Sequence, residues 1–350
     1  MPKTRLYTTD YAPSRGGVAR YLGNLAGYFS DSMEVTVLDP STRWWQALRR
    51  FLKDRRLLPT LSVGSSVIVS HLLPIGTAAL AFKWMTGTPY VVIAHGMDVG
   101  LARTRWLKRI VAGMVLRGAK AVVANSKALE REVRKEFGVE RTVVVYPTIS
   151  KHVSPPHREE GVGVVVARVV RLLTVARLVP RKGHLRVLDA LEMVESFHPE
   201  LSIHYTIVGD GPEYEEIVRS ITAFGLADIV TIVRDATDAQ LDDYYSSADL
   251  FVMPVIADSV DREGFGMVYL EAALHGIPSI ATDMPGVDEA VLDRKTGILV
   301  KDGDIAALAF AVYRLATNEG ERRRLGEAAR TRAIEEFSAE RQFEKLRQYL

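Results

Sequence analysis

The sequence predicts an α/β protein of two doubly wound, parallel-sheet domains. Three observations point there. Short apolar runs alternate with longer amphipathic stretches along almost all of the 350 residues, the pattern of repeated strand–helix–strand units. Several runs end in glycine-bearing turns that lead into a helical pattern, at Gly16-Gly17, His95-Gly96, Lys182-Gly183 and Gly264-Phe265-Gly266. That edge of a parallel sheet is where open α/β folds bind ligands. The length suits two domains with sizeable cores, and the charge divides with it. Residues 1–150 hold 22 Lys and Arg against 10 Asp and Glu, whereas residues 151–350 hold 23 against 33.

Composition narrows the class. Hydrophobic residues make up 47% and charged residues 25%, as in a globular protein. There is no cysteine, which excludes disulfides and thiolate metal sites. Residues 1–11 carry no apolar signal-peptide core. The longest apolar stretch, 67–82, is broken by His71 and Pro74, so no spanning helix is expected. The expectation is a cytoplasmic protein, peripheral on the inner face of the cell membrane. A basic first half and an acidic second half suggest different partners for each. No nucleic-acid motif or aromatic–basic repeat is present, and an anionic membrane or lipid-phosphate acceptor fits the basic half better.

In chain order, strands are predicted over 5–9, 33–38, 66–70, 89–94, 119–124 and 142–146. The glycine pair Gly16-Gly17 opens a helix to about residue 28 and forms a phosphate or sugar cradle. Over 43–56, Trp44, Leu48, Phe51 and Leu52 share one helical face. Trp45, Arg49, Arg50 and Lys53 stand beside it, so this helix is expected to dock on a membrane; the plainer alternative is a core-facing helix with a solvated basic rim. His71 and His95 each end a strand and face the ligand edge. A second basic helix over 101–117 carries Arg103, Arg105, Lys108 and Arg109. Asn125-Ser126 caps a helix to residue 137. Residues 148–163, with Pro155-Pro156, read as a linker.

The second half repeats the pattern, with strands over 171–176, 203–208, 229–233, 248–254, 277–281 and 296–300. Arg177 and Lys182 share one loop, where a guanidinium and an ammonium suit a departing diphosphate. Gly209-Asp210-Gly211-Pro212 is a strand-to-helix turn with Pro212 near the first helical position. Arg234 ends the next strand, placed either to stack on a base or to point into solvent. Asp302-Gly303-Asp304 has a metal-binding form but precedes an Ala/Leu-rich helix, so capping is the better reading. No metal-ligand cluster is found and no cofactor is expected. Two further helices and a segment over 337–350 close the chain.

The densest chemistry lies in residues 258–289. A polar loop ends in Glu263, Gly264, Phe265 and Gly266, and a helix over 267–275 stops at Gly276. The unpaired N–H groups of its first turn, Gly266, Met267 and Val268, form an anion site. Glu263 lies just before that turn and Glu271 inside the helix. A nucleoside-diphosphate sugar, with hydroxyls at both ends and phosphates between, has the matching layout. The alternative is a helix with a solvated glutamate at each end.

The segment EGFGMVYLEAALHGIPSIAT, residues 263–282, resembles the E-x7-E signature of the retaining family-4 glycosyltransferases, which have the GT-B fold. The resemblance covers nearly the whole chain and is strongest over 171–300. It implies that Glu263 contacts the donor sugar and Glu271 the ribose. Arg177 and Lys182 match the family's R-x4-KG element and inherit the diphosphate. Gly16 and Gly17 stand against the donor diphosphate and the acceptor, His95 beside the donor sugar, and Gly209 near the nucleoside. Arg234 replaces a usual glycine, which leaves uracil or guanine open, so the donor is a GDP- or UDP-sugar. Pro285 replaces the first glycine of a GGxxE turn, and Tyr146–Ser150 replaces a usual Asn-Gly-x-Asp hinge.

The resemblance therefore implies two Rossmann-like domains facing a cleft. Residues 1–155 would bind the acceptor and 156–336 the nucleotide sugar, with 337–350 crossing back onto the first domain. The expected activity is retaining hexosyl transfer, of mannose or glucose type, to a glycolipid or polysaccharide acceptor, with His95, Arg177, Lys182 and Glu263 at the reacting centre. The alternatives are a GT-B sugar-nucleotide epimerase, which needs no acceptor, and a binding-only relative.

Overall fold

The computed structural model describes residues 4–12, 16–53, 67–149, 169–258 and 263–350. The predicted linker with Pro155-Pro156 and the end of the basic helix at 54–56 lie outside the described residues. The chain forms two compact units. One comprises residues 1–150, 259–265 and 336–350, and the other 151–258 and 266–335.

The first unit is built on six parallel strands, β1 (Thr4–Thr8), β2 (Met33–Val37), β3 (Val67–Ser70), β4 (Tyr90–Ala94), β5 (Ala121–Ala124) and β6 (Thr142–Val144). Their order is β2-β1-β3-β4-β5-β6. Every residue of β3, β4 and β5 is buried, which is why these strands read as unbroken apolar runs rather than alternating ones. Helices cover the sheet: α1 (Gly17–Tyr28), α2 (Trp44–Lys53), α3 (Thr77–Thr86), α4 (Gly96–Arg103), α5 (Trp106–Gly118) and α6 (Lys127–Phe137). The chain order reverses between β1 and β3, and a switch point of this kind opens a crevice at their carboxyl ends. Ser126 caps α6 by accepting the Leu129 N–H at 3.1 Å.

Two expectations change here, and one helix unread in the sequence appears. The apolar stretch over 67–82 is β3, as expected over 66–70, then a kinked turn over Leu72–Gly76 with Leu73 extended, and then α3; a buried helix has no polar face, so periodicity alone does not separate it from a strand. The basic helix over 101–117 is two helices. Arg105 is extended between them, and the Thr104 hydroxyl donates back to the Leu101 carbonyl at 2.8 Å, which ends α4. The apolar face of α2 is divided. Phe51 is fully buried and packs edge-on against Tyr7 at 4.3 Å and Phe82 at 5.8 Å, while Trp44 and Leu52 are exposed. Burying Phe51 is worth about 2–3 kcal/mol, so core packing, not a shared outer stripe, sets the helix's rotation.

The second unit has six parallel strands in the order β12-β11-β10-β7-β8-β9: β7 (Val170–Val175), β8 (Ile203–Val208), β9 (Val230–Val233), β10 (Leu250–Met253), β11 (Ser279–Thr282) and β12 (Gly297–Val300). Its helices are α7 (His184–Phe197), α8 (Tyr214–Ala223), α9 (Asp238–Ser247), α10 (Met267–Leu274), α11 (Val287–Ala290), α12 (Ile305–Thr317) and α13 (Glu319–Glu336). The switch point lies between β7 and β10. Helix α8 begins two residues after Pro212, with Glu213 as its N-cap, so Pro212 precedes the helix rather than opening it. Asp304 caps α12 by accepting the Ala307 N–H at 2.8 Å. Helix α9, unread in the sequence, starts at a full capping box of Thr237 and Gln240.

The chain's end belongs to the first unit. There α14 (Ala339–Phe343) sets the Phe343 ring against Tyr21 at 6.0 Å and Tyr28 at 5.7 Å. The Tyr146 N–H donates to Gln342 Oε1 at 3.1 Å, and Lys120 Nζ to the Tyr349 carbonyl at 3.1 Å.

Candidate active site

In the second unit, four loops meet at the carboxyl ends of β7, β8, β9 and β10. The loop after β7 carries Arg177, which is exposed, and Lys182, which is only 9% exposed. Backbone bonds fix this loop on both sides. Leu178 N–H donates to the Asp210 carbonyl at 2.9 Å, and Glu213 N–H to the Leu178 carbonyl at 3.0 Å. Ile256 N–H, beyond β10, donates to the Arg181 carbonyl at 2.8 Å.

Two glycines allow this closeness. A Cβ on Gly183 would lie 2.1 Å from the Pro254 carbonyl oxygen, and one on Gly209 would lie 1.9 Å from that of Ala176. Both also have positive φ, which disfavours side chains. Gly209 is thus required by the protein's own packing, whatever it offers a ligand. Beneath the loop, His184 and Glu213 are buried with Nδ1 and Oε2 3.7 Å apart.

Gly266 is the left-handed N-cap of α10, with φ 85°. The helix opens at Met267 and Val268, without an acidic side chain in its first turn, so its leading N–H groups suit an anion. Glu271 is placed one turn in. Tyr245 Oη donates to Glu271 Oε2 at 2.9 Å. The Tyr245 ring stacks on His275 at 5.2 Å, and His275 in turn bonds Asp242 and the Glu271 carbonyl, each at 2.9 Å. Tyr245, His275 and Asp242 were missed in the sequence because they hold Glu271 from α9 and the end of α10, far from any motif.

Arg234 does not simply point into solvent. Its Nε donates to Asp210 Oδ1 at 2.9 Å, and its guanidinium lies 4.4 Å over the Tyr214 ring. Hydrogen bonds from Arg234 and the Gly211 N–H hold the Asp210 carboxyl below its ordinary range.

The first unit gathers a different set at the ends of β1, β3 and β4. His95 caps α4 and is buried. Its Nε2 is 2.9 Å from Ser70 Oγ, and its ring lies 5.7 Å from that of His71. Burial first, and the neighbouring His71 second, push the His95 imidazole down to about 3, so it is neutral near pH 7. Such a ring can orient a hydroxyl or donate one hydrogen bond, but does not act as a resident acid.

His71 sits at φ 115°, rare for a residue with a side chain, and its buried Nδ1 has no partner among the described residues. Asp98, in the first turn of α4, lies beside the His71 imidazole and the backbone N–H groups of His95 and Leu72, and its buried Oδ2 has no hydrogen-bond partner among the described residues. It therefore sits between the strand ends that carry both histidines, a placement unsignalled by sequence spacing. Burial lifts its carboxyl to about 6.

Gly16, the N-cap of α1, has extended backbone with φ −75°. A Cβ there would meet nothing closer than Asp10 Oδ2 at 3.9 Å, so packing does not demand this glycine, and Gly17 opens the helix behind it. Glu263 and Gly264 belong to the first unit, whereas Gly266 and Glu271 belong to the second. A Cβ on Gly264 would press on the Asn125 amide at 2.9 Å. Phe265 is buried with its ring 5.3 Å from Tyr146 and 5.4 Å from Phe337. Its side chain is thus a core anchor, leaving its backbone for any ligand.

On α2, Trp45 lies under Arg49 at 5.1 Å, and Arg50 and Lys53 are exposed. Among the described residues, no group of three or more His, Asp or Glu is arranged to hold a metal ion, and no helix is long and apolar enough to cross a membrane.

Comparison with known proteins finds family models and relatives along most of the chain. Residues 15–152 match the family model described as Glycosyltransferase Family 4, and residues 168–332 that described as Glycosyl transferases group 1. The chain is 29% identical to a GDP-mannose-dependent alpha-(1-6)-phosphatidylinositol monomannoside mannosyltransferase of Mycolicibacterium smegmatis, covering 95% of this chain and 94% of that one. It is 28% identical to a D-inositol 3-phosphate glycosyltransferase of Paenarthrobacter aurescens, over 80% of this chain and 71% of the other. Sucrose-phosphate synthase of Thermosynechococcus elongatus superposes with a TM-score of 0.80 at 19% identity, covering 99% of this chain and 98% of that one. The Anabaena HepE protein in complex with UDP and glucose also gives 0.80, at 18% identity and 99% of each chain. The fold is that of these GT-B proteins.

Proposed function

Because this chain belongs to the group 1 glycosyl transferases and carries a family 4 glycosyltransferase domain ahead of that match, we propose that it transfers a hexose from a nucleoside-diphosphate sugar to a lipid-linked or polysaccharide acceptor, with retention of configuration. The observation that carries this reading is the closure of the second unit's switch point. The loop bearing Arg177 and Lys182 is locked by backbone bonds to the turn after β8 and to the segment after β10. That arrangement suits a diphosphate held between two cations and the first turn of α10. Glu271, fixed by Tyr245, takes the ribose, and Glu263 the sugar.

In the proposed reaction the C1–O bond to the diphosphate breaks, and its electron pair goes to the leaving phosphate. The acceptor hydroxyl oxygen bonds to C1 on the same face. Its proton passes to the departing phosphate, whose charge Arg177 and Lys182 stabilise. Neutral His95 orients the donor sugar rather than supplying a proton. Among donors, GDP-mannose is the first choice, supported by the Mycolicibacterium smegmatis relative named for it, and a UDP-sugar the second. The acceptor is taken by the basic first unit.

A panel of GDP-, UDP- and ADP-sugars, scored by thermal shift and by slow hydrolysis without acceptor, tests the donor. The anomer of the transferred sugar, read by NMR, tests retention. Absence of any stabilisation across the panel, or an inverted anomer, overturns the reading.

A further inference from the structure

We propose that the tip between α4 and α5 is the element by which the first unit docks on an anionic lipid surface. Residues 104–110, Thr-Arg-Trp-Leu-Lys-Arg-Ile, are all exposed. Trp106 is 73% exposed, Leu107 57% and Ile110 48%. A helix of a folded domain ordinarily keeps one face covered; this turn of α5 is bare on every side. Its three large apolar side chains are interleaved with Arg105, Lys108 and Arg109, none of which has an ion-pair partner among the described residues. Arg103, by contrast, is set back in α4 and paired with Glu132 and Glu136. Residues 99–129 contain no acidic residue and seven basic ones.

Tryptophan, leucine and isoleucine among cations suit the boundary of an anionic bilayer, where rings and alkyl chains enter the acyl edge and the charges stay with the headgroups. A protein partner would need a pocket wrapping the whole turn. A lipid surface surrounds it without one. Helix α2, the element singled out by sequence, is less suited: Phe51 is committed to the core, and Trp45 is 39% exposed with Arg49 5.1 Å over its ring, against 73% for Trp106. The tip also has a geometric link to the chemistry. Exposed Met97 and Leu101 lie on α4, whose N-cap is His95. The helix spans about 12 Å at 1.5 Å per residue, so a docked tip keeps His95 about one short helix from the headgroups, within reach of a lipid-anchored acceptor. The choice of a lipid partner draws on the proposed lipid-linked acceptor, but the surface is defined independently of it.

Flotation of the full chain with vesicles tests the proposal, using phosphatidylcholine alone or mixed with phosphatidylglycerol. The protein is expected to float with the mixed vesicles and not with the neutral ones. Trp106→Ser with Leu107→Ser, and separately Lys108→Glu with Arg109→Glu, should each cut the bound fraction about tenfold or more, with melting unchanged because all four side chains are exposed. Trp44→Ser with Leu52→Ser should leave binding within about twofold. Flotation that survives both tip variants, or that is lost only in the α2 variant, overturns the proposal. So does a wild-type chain that never floats, or a dimer in sedimentation that Trp106→Ser dissolves. Nucleotide-sugar thermal shifts on the same samples separate the two readings, since a chain that floats but binds no donor fails only as a transferase.

Discussion

Lys182 stands out at the scale of single residues. It is a lysine almost removed from water at the end of a loop held by backbone bonds to two neighbours. In the proposed reaction a cation kept there would be preorganised for the charge that develops on the leaving phosphate, and such groups act on turnover more than on ground-state affinity. Lys182→Ala is expected to lower kcat by about a hundredfold or more while changing donor Kd by less than about tenfold; steady-state rates set beside calorimetric donor binding check this, and unchanged turnover removes Lys182 from the mechanism.

Asp98 makes a second residue-level prediction. Its carboxyl titrates at about 6 in the folded chain against an ordinary value of 3.8, because burial outweighs the nearby His71 and two backbone donors. The folded state thus holds this proton more tightly than the unfolded chain. The stability it contributes is fully present below about pH 4 and is lost as the pH rises through about 6. The melting temperature of the wild type, measured relative to Asp98→Asn, should therefore fall between about pH 4 and pH 7, and a flat or rising difference would contradict the assignment.

Among elements, the glycine turns divide into two kinds. Gly209 has φ 151°, and a side chain there would strike the Ala176 carbonyl. Gly16 has ordinary extended backbone and open space before it. Gly209→Ala should cost about 2–4 kcal/mol and lower Tm by several degrees. Gly16→Ala should leave Tm within about one or two degrees, yet reduce transfer, because only a ligand or acceptor needs that space. Thermal melts and activity on the same two proteins decide the matter; loss of stability in Gly16→Ala would return that glycine to the fold. Helix α2 carries the complementary lesson, since its amphipathic pattern was real but the side that faces the core was Ala47 and Phe51.

For the whole molecule, the last residues complete the first unit rather than trail from it. Phe337, Phe343 and Leu346 are each buried, and Phe337 lies against Tyr146 and Phe265. Removing residues 337–350 strips two phenylalanines and a leucine from this core, at about 2–3 kcal/mol each. The truncated chain should melt in two steps, with the first unit lost earlier and cut first by protease while the second keeps its transition. A single unshifted transition would show that the segment adds no stability.

The sequence by itself determined the two parallel sheets, the positions of their glycine-bearing edges and the local chemistry of the strand-to-helix turns. It could do so because strand burial, helix capping and anion-binding turns are short-range effects written in consecutive residues. Tertiary structure decided what depends on residues far apart in the chain. It turned Phe265 and Phe51 inward, set Tyr245 on Glu271 and Arg234 on Asp210, brought His71 and His95 together beside Asp98, and broke the basic helix at Thr104 to leave a bare tip. Each of those outcomes follows from packing and desolvation among distant segments, which periodicity along one segment does not encode.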